Sequence, residues 1–153
     1  MSRRPYTPSL LLFAYQDSAR RLTEALNAAG HRAIRPKHGA VFANLGEAGT
    51  RATTLAERAA IGKAAMGELV DELEQLGYIT RQADPTDRRA KLVVPTRAAL
   101  EVTRLVHEFN QQLERQLRRQ LGADAYNSLR RSLELLAGRA DVQPRICAAK
   151  KGQ

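Results

Sequence analysis

The sequence predicts a mainly α (α+β) chain in which long helices flank a small lobe of short helices closed by a two-stranded hairpin. Three observations predict it. Apolar residues recur at three- and four-residue spacing from about Pro8 to Ala29 and again from Thr96 to Gly138. Two shorter helical patterns meet at a tight turn around Ala60 to Gly62, and between Ile79 and Val94 the pattern becomes strand-like around a polar connection.

A chain of 153 residues, 43% of them hydrophobic, can bury one substantial core and is expected to form a single folding unit over 1–153. The single cysteine, Cys147, cannot close an intramolecular disulfide, and Met1-Ser2-Arg3-Arg4 does not feed an apolar run. A cytoplasmic location is therefore expected. Leu10 to Phe13 is the densest early apolar stretch, far short of the ~20 residues of a membrane-spanning helix. The formal net charge of +9 would gather polyanions such as nucleic acid or acidic lipid. Charge alone does not choose between these and an ordinary solvated basic surface.

The first helix is expected to place Leu11, Tyr15, Leu22 and Leu26 on one face and to stop at Gly30. A short helix follows Pro36, carries His38 and buries Val41, Phe42 and Leu45 ahead of a turn at Gly46 to Thr50. Thr53 or Thr54 can cap the next helix, and Thr54-Leu55-Ala56-Glu57 fits a capping box, in which hydroxyl and carboxylate each satisfy an exposed backbone N–H. That helix ends near Ala60. After Ile61-Gly62, apolar residues at Ala65, Met66, Leu69, Val70, Leu73 and Leu76 mark a second helix, ended by Gly77.

Strands are expected at Ile79 to Gln82 and Ala90 to Val94, joined by the polar stretch Ala83 to Arg89. Thr96 then caps a helix of some twenty-five residues with Val102, Leu105, Phe109, Leu113 and Leu117 along one face, closed by Leu121-Gly122. A last helix, about Asp124 to Ala137, puts Tyr126, Leu129, Leu133 and Leu136 on one stripe before Gly138. Residues 139–153 read as a basic tail.

Helix, tight turn, second helix and basic hairpin, in that order, make a winged helix-turn-helix, whose second helix enters the DNA major groove while the wing reaches the neighbouring backbone. Leu55-Ala56-Glu57, the run from Asp71 to Ile79, and above all Asp84-Pro85-Thr86-Asp87-Arg88-Arg89 resemble the MarR (multiple antibiotic resistance regulator) family over roughly residues 8–138. Two positions depart from its pattern: Ala60 stands where the turn usually has glycine, and Gly62 where the second helix usually has a serine cap. Glycine can still cap a helix. Pro95-Thr96-Arg97-Ala98-Ala99 replaces the family's frequent Leu-Thr-x-x-Gly, keeping Thr96 as cap.

The resemblance implies a DNA-binding lobe over about 36–95 and dimerisation helices over about 8–30 and 96–138, with Leu11, Leu22, Leu113, Leu117, Leu129 and Leu133 at the interface. It implies a homodimeric transcriptional regulator, a repressor of a palindromic operator in double-stranded DNA, released by a small molecule and needing no cofactor or metal. DNA contacts would come from Thr53 and Thr54 on the first helix of the pair and from Lys63, Ala64, Gly67 and Glu68 on the second. Arg81, Asp87, Arg88, Arg89 and Lys91 would add the wing's contacts. An ion pair between Asp87 and Arg89, bracing the wing, is likewise implied by the family; the pair can equally serve the turn alone.

The exposed face of the second helix holds few side chains that read bases bidentately, so it names no operator. Gly67 permits close approach to DNA or is a neutral change, and Glu68 either accepts from a cytosine amine or rejects wrong sites. Arg35, Lys37 and His38 can hold an anionic effector or form a solvated basic loop. The family's oxidant-sensing cysteine near the first helix has no counterpart. No G-x-x-x-x-G-K-[ST], G-x-S-x-G or H-E-x-x-H pattern occurs, so no enzyme is expected. His31, His38 and His107 are far apart and read as ordinary surface or partly buried residues rather than metal ligands. The alternatives are a nonspecific or architectural nucleic-acid-binding winged helix and, from another class, a protein-interaction module built on the long helices.

Overall fold

The computed structural model describes residues 4–138; the tail at 139–153, with Cys147, lies outside the described residues. Helix α1 (Thr7–Ala28) starts with Pro8 in its first turn, where a missing N–H costs nothing, and Gly30 ends it at φ 95°. A single 3₁₀ turn, Pro36–His38, leads into α2 (Gly39–Phe42), whose Val41 and Phe42 are buried as expected, with Leu45 just beyond. Strand β1 (Thr50–Arg51), α3 (Ala52–Ala59) and α4 (Lys63–Gln75) follow, then β2 (Ile79–Asp84), β3 (Asp87–Pro95), α5 (Arg97–Leu121) and α6 (Ala123–Ala137). None of these helices is long and apolar enough to cross a membrane.

The sheet has three antiparallel strands in the order β1-β3-β2, one more than expected. With only two residues, β1 carries no readable alternation; it exists because Thr50 and Arg51 pair with Val93 and Leu92. The hairpin is also tighter than the polar stretch suggested. Asp84 pairs with Asp87, leaving Pro85-Thr86 as the turn, with a register irregularity between Ala83 and Asp84. Most of the tip is exposed, so hydrophobicity there gives no period and the strand ends read as loop. Gly49 is required at the entry to β1: its φ is +92°, and a Cβ would come within 2.9 Å of Val94 Cγ2 and 3.2 Å of the Val93 carbonyl oxygen.

The expected capping box is absent. Helix α3 begins at Ala52 with Arg51 as its N-cap and no side-chain cap bond, so Thr53 and Thr54 already lie within the first turn. Pairing in β1 decides this, since it holds Arg51 extended one residue ahead of the helix. Gly62 does cap α4, and the Thr96 hydroxyl accepts the Ala99 N–H at the start of α5.

One core joins the lobe to the arms: Leu26 of α1 and Ala99 and Val102 of α5 belong to the same buried cluster as Leu55, Met66, Val70, Leu73, Ile79 and Val93. The buried stripe of α4 is narrower than its apolar pattern, for Ala65 and Leu76 are exposed. On the arms, Leu22, Leu113 and Leu117 are half-buried, whereas Leu11, Leu129 and Leu133 face solvent. His31 and His38 are buried; of the three histidines, only His107 fits the expected surface or partly buried setting.

Helices α3 and α4 meet at Ala60, which adopts the left-handed conformation (φ 54°, ψ 42°) and is the one non-glycine residue with positive φ among the described residues. Its Cβ costs about 1–2 kcal/mol there. Ala60→Gly is therefore expected to raise stability by about 1 kcal/mol despite glycine's greater unfolded entropy. An unchanged or lower denaturant midpoint for the variant would refute this account of the turn.

Candidate nucleic-acid interface

Burying Met66, Val70 and Leu73 turns the opposite side of α4 outward, so Lys63, Ala64, Glu68 and Asp71 are exposed and Gly67 half-buried. A Cβ at Gly67 would meet nothing within 4 Å, so packing inside the chain does not demand glycine. Thr53 is exposed and Thr54 half-buried at the start of α3. On β3, Arg88, Arg89 and Lys91 are exposed, and no ion pair among the described residues involves them or Lys63.

Asp84 organises the wing. Its carboxylate is buried: Oδ2 accepts from Arg51 Nε at 2.7 Å and lies 2.6 Å from Arg51 Nη2, while Oδ1 accepts from the Thr86 N–H at 2.8 Å and the Thr86 hydroxyl at 2.7 Å. The Thr86 hydroxyl and N–H, with the Arg51 guanidinium, pull its pKa down to about 2. Asp87 plays a smaller part than the family pattern implied. Its Oδ1 accepts the backbone N–H of Arg89 at 3.1 Å, and its Oδ2 lies 3.8 Å from Arg51 Nη2. The brace therefore runs through Arg51 and Asp84, leaving the Arg89 guanidinium out of it. Sequence reading missed Arg51 because its partner is 33 positions away and no local spacing links them.

Arg81 is not a free cation. Its guanidinium is shared between Asp71 and Glu74 on α4, with Asp71 the main cause of its raised pKa, so it fastens β2 to α4. Because Asp71 lies on the outward side of α4, this bond sets the wing beside that face. The residues weighed as an anion site are also committed. Arg35 donates to the backbone carbonyls of Arg32 and Ile34, Lys37 pairs with Glu72 at 2.5 Å, and His38 is wholly buried, with burial holding its pKa below the usual histidine value. Arg35 and Lys37 are exposed while so engaged, and His38 alone of the three is buried.

The sequence model of the MarR family matches residues 34–90, the stretch from Ile34 through the wing to Ala90. The match to the MarR-family model is confined to the winged lobe. The likeness of fold reaches beyond it into the arms. MarR from E. coli in its reduced form superimposes over 88% of this chain and 98% of its own, with a TM-score of 0.69 at 21% identity. FabT from Streptococcus pneumoniae, in complex with DNA, covers 86% of this chain and 92% of its own at 0.76 and 16%. MepR from S. aureus, also in complex with DNA, covers 88% and 98% at 0.71 and 15%. The chain therefore has the same fold as these proteins. No curated protein matches the sequence.

Asp84 stays ionised in the folded chain down to about pH 2, whereas an unfolded aspartate protonates near about pH 3.9. Its depressed pKa means that the bridge's contribution is complete above the unfolded value and is lost as pH falls through about 2. Asp84→Asn should be less stable than the parent near neutrality and should lose less stability on acidification. Parallel pH profiles in equilibrium unfolding would overturn the assignment.

Proposed function

We propose that this chain is a sequence-specific DNA-binding transcriptional regulator, a repressor that works as a homodimer on a palindromic operator and is released by a small molecule. The observation that carries the reading is the juxtaposition of an exposed, packing-free face on α4 with three unpaired wing cations, Arg88, Arg89 and Lys91. Such cations suit phosphates and the groove between them, while the helix enters the major groove. Among proteins of the same fold, FabT and MepR are bound to DNA in their structures. A repressor of this kind would act in the cytoplasm, with the chromosome.

Dimerisation is supported by the arms. Leu10, Leu11, Leu12 and Phe13 are four consecutive exposed apolar residues, pointing in every direction around α1, and Leu129, Leu133, Leu135 and Leu136 are exposed on α6. Left uncovered, they would drive aggregation. A second copy related by a two-fold axis would cover them and set two recognition helices about one DNA turn apart. The effector would enter the open groove of about 460 Å³ where Tyr15, Ala19 and Thr23 of α1 face Pro36 of the lobe. A second reading, nonspecific winged-helix binding, is favoured by one feature: Ala64, Gly67 and Glu68 offer α4 little to read bases with. A footprint separates the two, since a specific dimer protects paired half-sites and a nonspecific binder protects none.

Arg89→Ala should weaken binding by a similar factor on every sequence and lower the salt dependence by about one released counterion, leaving folding intact. Unchanged affinity with a shifted melting temperature would instead make this arginine structural. In sedimentation the chain should run at about twice the mass of one copy, and Leu129→Glu with Leu133→Glu should abolish both assembly and palindrome protection. A folded monomer that still protects a palindrome at full affinity would defeat the dimer reading.

A further inference from the structure

We infer that His38 is a proton-sensitive strut for α4: on taking up a proton it lets go of the recognition helix and lowers the affinity for DNA. The last step rests on the DNA-binding reading above; the strut itself does not.

The His38 ring is wholly buried, and its Nδ1 accepts the backbone N–H of Arg35 at 3.0 Å, closing the first turn of the Pro36–His38 segment. Nδ1 being an acceptor, the proton of the neutral ring sits on Nε2. Nε2 lies 3.4 Å from Glu72 Oε1 of α4 without hydrogen-bonding geometry, and the other oxygen of the same carboxylate takes Lys37 Nζ at 2.5 Å. One carboxylate on α4 is thus bonded by Lys37 and packed against the His38 ring from the same turn. The charged groups that face the ring are Glu72 from α4 and Lys37 and Arg35 from its own segment.

A second proton has only Nδ1 to go to. There it would set an N–H against the Arg35 N–H, so the ring must leave that amide and the turn must open. Burial, Lys37 and Arg35 oppose the charged ring and Glu72 favours it; with burial the largest influence, the folded state keeps His38 neutral. Opening the turn withdraws the Lys37 ammonium and the His38 ring from Glu72. Arg81 still holds α4 to the wing at Asp71 and Glu74, so the helix gains freedom on one side and keeps its other anchor. The sign follows: the neutral ring stabilises the closed turn above the ordinary histidine pKa of about 6.5, and that support is lost as pH falls below it. Acidification usually tightens protein–DNA complexes by adding cations, so this device acts in the opposite direction.

In the full chain without DNA, imidazole-nitrogen NMR should find His38 protonated on Nε2 at about pH 7.5, and the Arg35 amide should lose exchange protection in step with the ring's titration towards about pH 5.5. An Nδ1-protonated neutral ring, or an Arg35 amide indifferent to that titration, overturns the inference. On a duplex that the protein selects from a random pool, affinity at about pH 5.5 should be severalfold below that at about pH 7.5. His38→Asn, whose amide oxygen can accept from Arg35 without titrating, should bind equally at both. Glu72→Gln, at a half-exposed position outside the core, should move the acid midpoint lower, because the charged ring loses its carboxylate. Equal or tighter binding by the parent at low pH, or an unmoved midpoint in Glu72→Gln, overturns the inference. If no duplex is selected, the DNA-binding reading fails while the NMR titration still decides the strut.

Discussion

Met66, Val70 and Leu73 leave no surface to solvent, and with Leu55, Val41 and Val93 they form the contact on which the lobe rests. Removing such a side chain from a well-packed core costs about 2–5 kcal/mol. More important for function, the contact fixes the rotation of α4 about its axis, since a helix that buries positions spaced by three and four must present the opposite stripe to solvent. The exposed face with Lys63, Ala64 and Glu68 is a consequence of that burial. Two polar ties keep the helix in place from either side: Arg81 of the wing on Asp71 and Glu74, and Lys37 on Glu72.

Pairing, more than number, decides which of the chain's many cations remain available. On the arms, Arg20 is matched by Asp17 and Glu24, Arg104 by Glu108, and Arg130 by Glu114 and Glu134. Exposed pairs of this kind stabilise the fold by only about 0–1 kcal/mol each. Their larger effect is to reduce the local positive field. In the wing the same sorting takes Arg51 and Arg81 into internal ties and leaves Arg88, Arg89 and Lys91 outside them. Arg51 orients the strand that carries the free ones, through a carboxylate that also closes the turn by way of Thr86.

The arms and the lobe are one mechanical piece at their junction. Leu26, Ala99 and Val102 enter the lobe's core, His31 Nδ1 lies 2.9 Å from the Tyr78 hydroxyl, and the Thr96 hydroxyl reaches the carbonyl oxygens of Gly77 at 2.8 Å and Tyr78 at 3.0 Å. Tyr78 directly follows the turn that ends α4. The end of α4 is therefore joined to α1 and α5 through close-packed and hydrogen-bonded contacts.

The sequence by itself determined the order of helices and strands, the long caps and stops such as Thr96, Gly30 and Gly138, and the wing motif, because each is written in neighbouring residues through periodicity, capping and turn chemistry. Val41, Phe42 and Leu45 were legible as core for the same reason. Tertiary structure alone decided what depends on residues far apart. It made a strand of Thr50-Arg51 by pairing them with Val93 and Leu92, and thereby moved the start of α3 ahead of Thr53 and Thr54. It also replaced the Asp87–Arg89 brace with Arg51–Asp84, spent Arg81 on α4, and buried His38 against Glu72. Whether a charged side chain is free or tied depends on which carboxylate the fold brings within hydrogen-bonding distance, and across 33 or 34 intervening steps of chain no local pattern carries that information.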